Sequence, residues 1–165
     1  MKLKVGKHKV QWIDELSGLQ LPFTLRYKFI IYQDCELIPH YSKSRSEWTG
    51  SGKDEGLTWY HATNRHDFTF RTGIFKSFPS VLKKNPYNFK KNRTYKCKIT
   101  VGKHGARYWI DDKHYATCKY SEKDVLSGGT VGFMTWEGVS KPCLIKNLKL
   151  NNNVDESSGS DNEED

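Results

Sequence analysis

Two stretches of the chain alternate apolar and polar residues with a period of two. A β-strand shows this period when one face of its sheet is buried and the other is wet. The apolar positions are Phe23, Leu25, Tyr27, Phe29 and Ile31 in residues 23–32, and Tyr95, Cys97, Ile99 and Val101 in residues 94–101. The positions between them carry mostly Lys, Arg and Thr. Both stretches are therefore predicted to be strands with one buried face.

The rest of the chain is predicted to hold more short strands and no helix longer than a turn or two. These strands cover residues 56–63, 67–73, 106–111, 114–120, 128–136 and 143–150. Residues 33–56 lack periodicity and are rich in Ser, Lys, Gly and Glu, which predicts a long surface loop that acts as a lid or rim. Residues 78–89 read as a connection interrupted by Pro. The pattern predicts an all-β protein.

The order of elements in residues 92–150 resembles the C-terminal half of concanavalin-like jelly-roll sandwiches. It runs from a polar-alternating strand through a short hairpin to a strand that ends at Asp111. A Gly-Gly-x-Val-Gly-Phe strand at 128–133 and a closing apolar strand follow. The resemblance implies a jelly-roll β-sandwich of two antiparallel sheets. The chain is also similar to uncharacterised glycan-associated members of this superfamily, in which the concave sheet holds glycan.

Length and charge predict one folded domain and a tail. The 165 residues suit a single sandwich, which we assign to residues 1–150. Residues 151–165 hold six acidic residues and no Lys or Arg, so we expect a disordered acidic tail. The net charge is +8, and the body without the tail carries +14. Residues 1–9 lack an apolar signal region, which predicts an intracellular protein, cytoplasmic or nuclear.

The cysteines predict no metal centre. Cys35, Cys97, Cys118 and Cys143 are scattered without Cys-x-x-Cys spacing, as expected of buried free thiols. The histidines and carboxylates form no cluster with zinc-ligand spacing. We therefore expect neither a metal nor another cofactor.

The densest candidate chemistry lies in residues 59–66. In a strand here, Trp59 and His61 share one face, while Tyr60 and Ala62 share the other. An aromatic ring beside planar donors suits a sugar, whose C–H face packs on the ring while its hydroxyls take the hydrogen bonds. The candidate ligand-binding residues are Trp59, His61, Asn64, Arg65, His66, Arg71 and Trp136, with His40, Tyr41 and Trp48 in the preceding loop. Alternatively, Trp59 faces the core and His61 is a hydrogen-bonded structural histidine.

Three classes of function remain open. The first is a non-catalytic carbohydrate-binding module with its ligand on the concave sheet, favoured because the Glu-x-Asp-x-x-Glu strand of retaining glycosidases of this fold is absent. The second is a polysaccharide lyase acting on an acidic glycan, with Tyr60 and His61 as catalytic residues. The third is a tail-regulated protein that binds nucleic acid or another polyanion.

The third class is based on basic residues interleaved with aromatic ones. Charged side chains track an anionic backbone, and rings stack on bases. Alternating lysines are also what the wet face of any strand produces. The residues concerned are Lys83, Lys84, Lys90, Lys91, Arg93, Lys96 and Lys98, with Tyr87, Phe89 and Tyr95. A salt titration separates the classes, because polyanion binding weakens steeply with salt and neutral-sugar binding does not.

Overall fold

Short antiparallel strands make up most of the structure. The computed structural model describes residues 1–46, 55–64, 69–72, 80–81 and 88–151. A 3-10 turn lies at Asp14–Leu16. The strands within these ranges are β1 (Lys2–Val5), β2 (Gln11–Trp12), β3 (Phe23–Ile30), β4 (Glu36–Ser42), β5 (Leu57–Trp59), β6 (His61–Ala62), β7 (Phe70–Thr72), β8 (Ser80–Val81), β9 (Thr94–Val101), β10 (Gly105–Ile110), β11 (Lys113–Lys119), β12 (Thr130–Thr135) and β13 (Cys143–Asn151).

The strands form two sheets. The first sheet has the order β1-β13-β3-β9-β10-β11. The second has the order β2-β12-β4-β5-β7-β8, and β6 also pairs with β4. Neighbouring strands run antiparallel in both sheets. Consecutive strands often lie in different sheets, as β3 and β4 do, and β11 and β12. The predicted sandwich of two antiparallel sheets is confirmed.

The core lies between the two sheets, and the predicted alternation places it correctly. Phe23, Leu25, Tyr27 and Phe29 of β3 are buried, as are the four apolar residues of β9. The largest buried side chains that the second sheet adds are Tyr41, Trp59, Phe70 and Phe133. Large aromatic side chains therefore dominate the burial in this thin core.

The prediction of a surface loop over residues 33–56 was wrong for its first part. Glu36–Ser42 forms β4, pairs with β12 and β5, and is buried at every position. A strand buried on both faces loses the alternation by which a strand is recognised. Pro39, which pairs with Phe133 inside the sheet, also argued against a strand, because proline cannot donate to the ladder. Residues 47–54, including Trp48, lie outside the described residues.

The four cysteines are free and buried, as predicted. The Sγ atoms of Cys35 and Cys143 lie 3.6 Å apart. Burial raises the pKa of the Cys118 thiol to about 12 and also raises that of Cys97. These two thiols are therefore protonated at neutral pH and act as small apolar side chains. The tail residues 152–165 lie outside the described part of the chain.

Candidate functional site

One row of residues crosses the second sheet from its edge strand β2 to β7. The strand register pairs Trp12 with Gly132, Gly132 with His40, His40 with Thr58, and Thr58 with Arg71. Side chains paired directly across a sheet project from the same face. The residues next to them in sequence, such as Tyr41 and Leu57, belong to the core. The row Trp12, His40, Thr58 and Arg71, called here the outer row, therefore lies on the face turned away from the core.

Gly132 gives Trp12 room to lie beside β12. A Cβ atom at position 132 would come within 2.9 Å of Cε3 of Trp12 and would also collide with Val10. Without it, the indole of Trp12 reaches His40, with ring centroids 6.1 Å apart and the planes nearly perpendicular. The glycine thus places an aromatic ring next to the polar members of the outer row.

Beside the outer row lies a buried apolar cluster that contains one phenol hydroxyl. Val10, Ile38, Tyr60 and Met134 form a buried cluster against which Trp12 packs. The Thr58 hydroxyl donates to Tyr60 Oη at 3.3 Å. Burial raises the pKa of Tyr60 to about 12, although the Thr58 hydrogen bond and the Arg71 charge both act to lower it. Tyr60 is therefore a neutral phenol at physiological pH.

His40 presents an acceptor without a partner. Its side chain is fully buried, and Nδ1 lies 3.1 Å from the carbonyl oxygen of Ile38. A carbonyl only accepts, so Nδ1 carries the hydrogen and Nε2 keeps its lone pair. Burial lowers the pKa of His40 to about 4, so the ring is neutral near pH 7. Nε2 is buried and has no hydrogen-bond partner among the described residues, which is unusual for a native polar atom.

Trp59 and His61 share one face, as the alternation predicts, but that face is the core. The expectation that they contact a ligand is therefore corrected. Trp59 Nε1 donates to Tyr27 Oη at 2.9 Å, and the same hydroxyl lies 2.6 Å from His61 Nε2. The Tyr108 hydroxyl contacts the other ring nitrogen, and Phe29 stacks on the ring at 4.0 Å. Burial holds the pKa of His61 well below its usual value.

The same geometry argues against the lyase pair. Tyr60 lies in the outer cluster, while His61 lies in the core on the other side of the sheet. One substrate cannot reach both side chains from one side. With its pKa raised to about 12, Tyr60 is also not the phenolate that a base would need near neutrality. Tyr41, expected in a loop, is a core residue as well.

Asn64 and Trp136 both lie near Glu36 and Glu137, at one end of the second sheet. Asn64 Nδ2 donates to Glu137 Oε2, and the backbone N–H of Glu36 donates to Glu137 Oε1 at 2.9 Å. Trp136 is 45% exposed, and its backbone N–H donates to Glu36 O. Arg65 and His66 fall outside the described residues. Among the predicted ligand-binding residues that the structure describes, Arg71 belongs to the outer row, and Asn64 and Trp136 lie near one end of the same sheet.

The sequence prediction missed Trp12, Thr58 and the role of His40 in a strand. Gln11–Trp12 is a strand of two residues, too short to show a period. Within the described ranges, no group of three or more metal-ligating side chains occurs, and no helix is long and apolar enough to cross a membrane.

Comparison with known proteins gives structural likeness only. No family model and no curated protein matches the sequence. The exoplasmic/lumenal domain of VIP36 in its Ca2+/Man3GlcNAc-bound form is similar with a TM-score of 0.63 and 11% identity, over 96% of this chain and 82% of that one. The Caenorhabditis elegans galectin LEC-6 has a TM-score of 0.58 at 10% identity, over 91% and 95% of the two chains.

A third similar structure is the carbohydrate-binding module CBM66 from Bacillus subtilis. Its TM-score is 0.56 at 13% identity, and the match covers 90% of this chain and 96% of that one. At identities this low, likeness establishes the fold and leaves the ligand open. The chain has the concanavalin-like jelly-roll fold that residues 92–150 predict.

Proposed function

We propose that this protein is a non-catalytic carbohydrate-binding module whose ligand lies over the outer row of the second sheet. The observation that carries the proposal is the convergence, in one cross-strand row, of an indole, a guanidinium, a hydroxyl and an unpartnered imidazole nitrogen. A site that fixes a small polar ligand typically combines an apolar wall with a few converging polar groups.

Each group in the row suits a different part of a sugar. The half-buried indole of Trp12 offers a flat surface to the C–H face of a pyranose ring. Arg71 offers several donors in a fixed plane, which suits two adjacent hydroxyl oxygens. His40 Nε2 accepts from a hydroxyl donor, and it does so without a charge because its ring stays neutral. The fold is shared with a carbohydrate-binding module and with a domain seen in a glycan-bound form.

We propose a non-catalytic module because of the side chains that the chain offers for hydrolysis or elimination. The sequence lacks the Glu-x-Asp-x-x-Glu strand that supplies the nucleophile and the acid in retaining glycosidases of this fold. The alternative pair of Tyr60 and His61 is divided between the outer face and the core. The outer row itself holds groups that bind hydroxyls and no pair of carboxylates.

The test is binding of the full chain to an array of neutral glycans at low and high salt. We expect at least one glycan to bind with little dependence on salt. Arg71→Gln should weaken that binding about tenfold or more, since a hydrogen bond from a charged donor contributes about 1.5–3 kcal/mol. The matched control is Arg107→Gln, a half-buried arginine on the first sheet, which should leave binding unchanged.

Two results would contradict the proposal. One is that no neutral glycan binds at either salt concentration. The other is that Arg71→Gln and Arg107→Gln weaken binding equally while both variants keep the wild-type circular dichroism spectrum. The second result would mean that the effect comes from net charge and not from the outer row.

A further inference from the structure

The outer face of the first sheet carries a second groove, lined by basic residues. It has a volume of about 510 Å³, and Trp109 forms part of its wall. The basic side chains that line it come from β3, β9 and β13. They are Arg26, Lys28, Lys96, Lys98 and Lys149, called here with Trp109 the basic groove.

The cations of the basic groove stand directly opposite one another. Arg26 pairs with Lys98 on one side and Lys149 on the other, and Lys28 pairs with Lys96 and Lys146. Like charges directly opposite across a sheet destabilise it. The register therefore concentrates positive charge on this face, and Asp112, which pairs with Lys96, is an anion beside it.

A β-bulge in β13 places Lys149 opposite Arg26. The register of β13 against β3 shifts between Lys146 and Lys149, and Asn147 there has a φ of 57°. Without the extra residue, Leu148 would stand opposite Arg26, because side chains on one face recur every second residue. With it, Lys149 takes that position, while Leu148 packs against the core. Bulges often re-aim a side chain at a functional site.

Trp109 adds a buried donor to the basic groove. The side chain is 1% exposed, and within the described part of the chain its Nε1 atom has no hydrogen-bond partner. Lys98 Nζ lies 3.9 Å from the centre of the ring and directly opposite on the neighbouring strand. Native buried donors are rarely left without a partner unless a ligand or water supplies one.

We propose that the basic groove binds an acidic polysaccharide. Its lining also includes Asn147 and Asp112, and Asp112 pairs with Lys96 at 2.5 Å. A sugar polymer offers anionic groups to the lysines and hydroxyls to the amide and the carboxylate. A single-stranded nucleic acid would also need exposed rings on which its bases stack. Of the described residues, the exposed large apolar ones are Met1, Tyr32 and Trp136, and none lines the groove.

This site is independent of the outer row, so each proposal can fail alone. The probes are a heparin hexasaccharide, which carries sulfate, and a hyaluronate hexasaccharide, which carries only carboxylate. A single-stranded and a duplex oligonucleotide are measured beside them. The groove variant is the triple substitution Lys28→Gln, Lys98→Gln and Lys149→Gln. The control variant removes the same charge from exposed loops by Lys7→Gln, Lys123→Gln and Lys141→Gln.

We expect the full chain to bind at least one of the two acidic hexasaccharides, and the groove variant to bind it at least tenfold more weakly. For the groove variant, the slope of log Kd against log salt concentration should also be shallower by about two to three, because three charges are removed. The control variant should change the affinity less than threefold. The groove variant should keep the wild-type far-ultraviolet circular dichroism spectrum, which separates a loss of binding from misfolding.

Three outcomes would overturn the proposal. The first is that neither hexasaccharide binds the full chain. The second is that the two triple variants lose affinity equally, which indicates an effect of net charge alone. The third is that an oligonucleotide binds more tightly than both hexasaccharides and that only the groove variant loses this oligonucleotide binding. The last result would make the groove a nucleic-acid site.

Discussion

Replacing Trp59 with alanine is expected to lower the free energy of unfolding by about 3–5 kcal/mol, as is typical for removing a large buried aromatic side chain. Trp59 is fully buried between the sheets. Its loss opens a cavity and also removes the donor to Tyr27 Oη, which holds His61 in place. Urea denaturation followed by far-ultraviolet circular dichroism measures the change.

The matched control is Trp136→Ala, the same substitution at a ring that is 45% exposed. Surface substitutions usually change stability by no more than about 0.5 kcal/mol. Equal small losses for both variants would contradict the placement of Trp59 in the core. A loss of sugar binding in Trp59→Ala would say nothing about a ligand face, since the variant is destabilised throughout.

The second large effect is expected on acidification. His40 and His61 are both fully buried, and burial lowers the pKa of His40 to about 4 and that of His61 well below its usual value. In the unfolded chain both histidines have a pKa of about 6.5. Below that pH the unfolded state therefore binds protons that the folded state does not bind. The stabilisation is fully present above about pH 6.5 and is lost as the pH falls towards the folded pKa.

Between pH 6.5 and about 4, His40 should cost about 1.4 kcal/mol per pH unit, and His61 should steepen the loss in the same direction. Denaturant titrations at half-unit pH intervals give the slope. His40→Gln should make the slope shallower, and His104→Gln at an exposed position serves as the control for the chemical change. A stability profile that stays flat from pH 6.5 to 4.5 would contradict the buried neutral state of both rings.

The sequence predicts those elements that keep one wet face. β3 and β9 alternate because Lys, Arg and Thr occupy their outward positions, and both were predicted with their core residues. β4 was not predicted, since its outward side chains are buried too and Pro39 interrupts it. The faces of residues 57–62 could not be assigned, because Trp59 and Tyr60 are both aromatic and either one suits a core.

The outer row could not be derived from the sequence for a different reason. Trp12, His40, Thr58 and Arg71 are far apart in the chain and meet only through strand register. Register depends on turns, bulges and pairing across the whole sheet. Arg71 was proposed for its chemistry and not for its neighbours. The basic groove was partly foreseen, because Lys96 and Lys98 were recognised as charged, but its partners on β3 and β13 were not.

The most direct test of the central claim is an NMR titration of the full chain with a neutral glycan that binds it on the array, read at the indole N–H signals of the five tryptophans. We predict that the indole N–H signal of Trp12 shifts, while the signals of Trp59 in the core and Trp109 in the basic groove do not. A shift confined to Trp109, or no indole shift at saturating glycan, would contradict binding over the outer row.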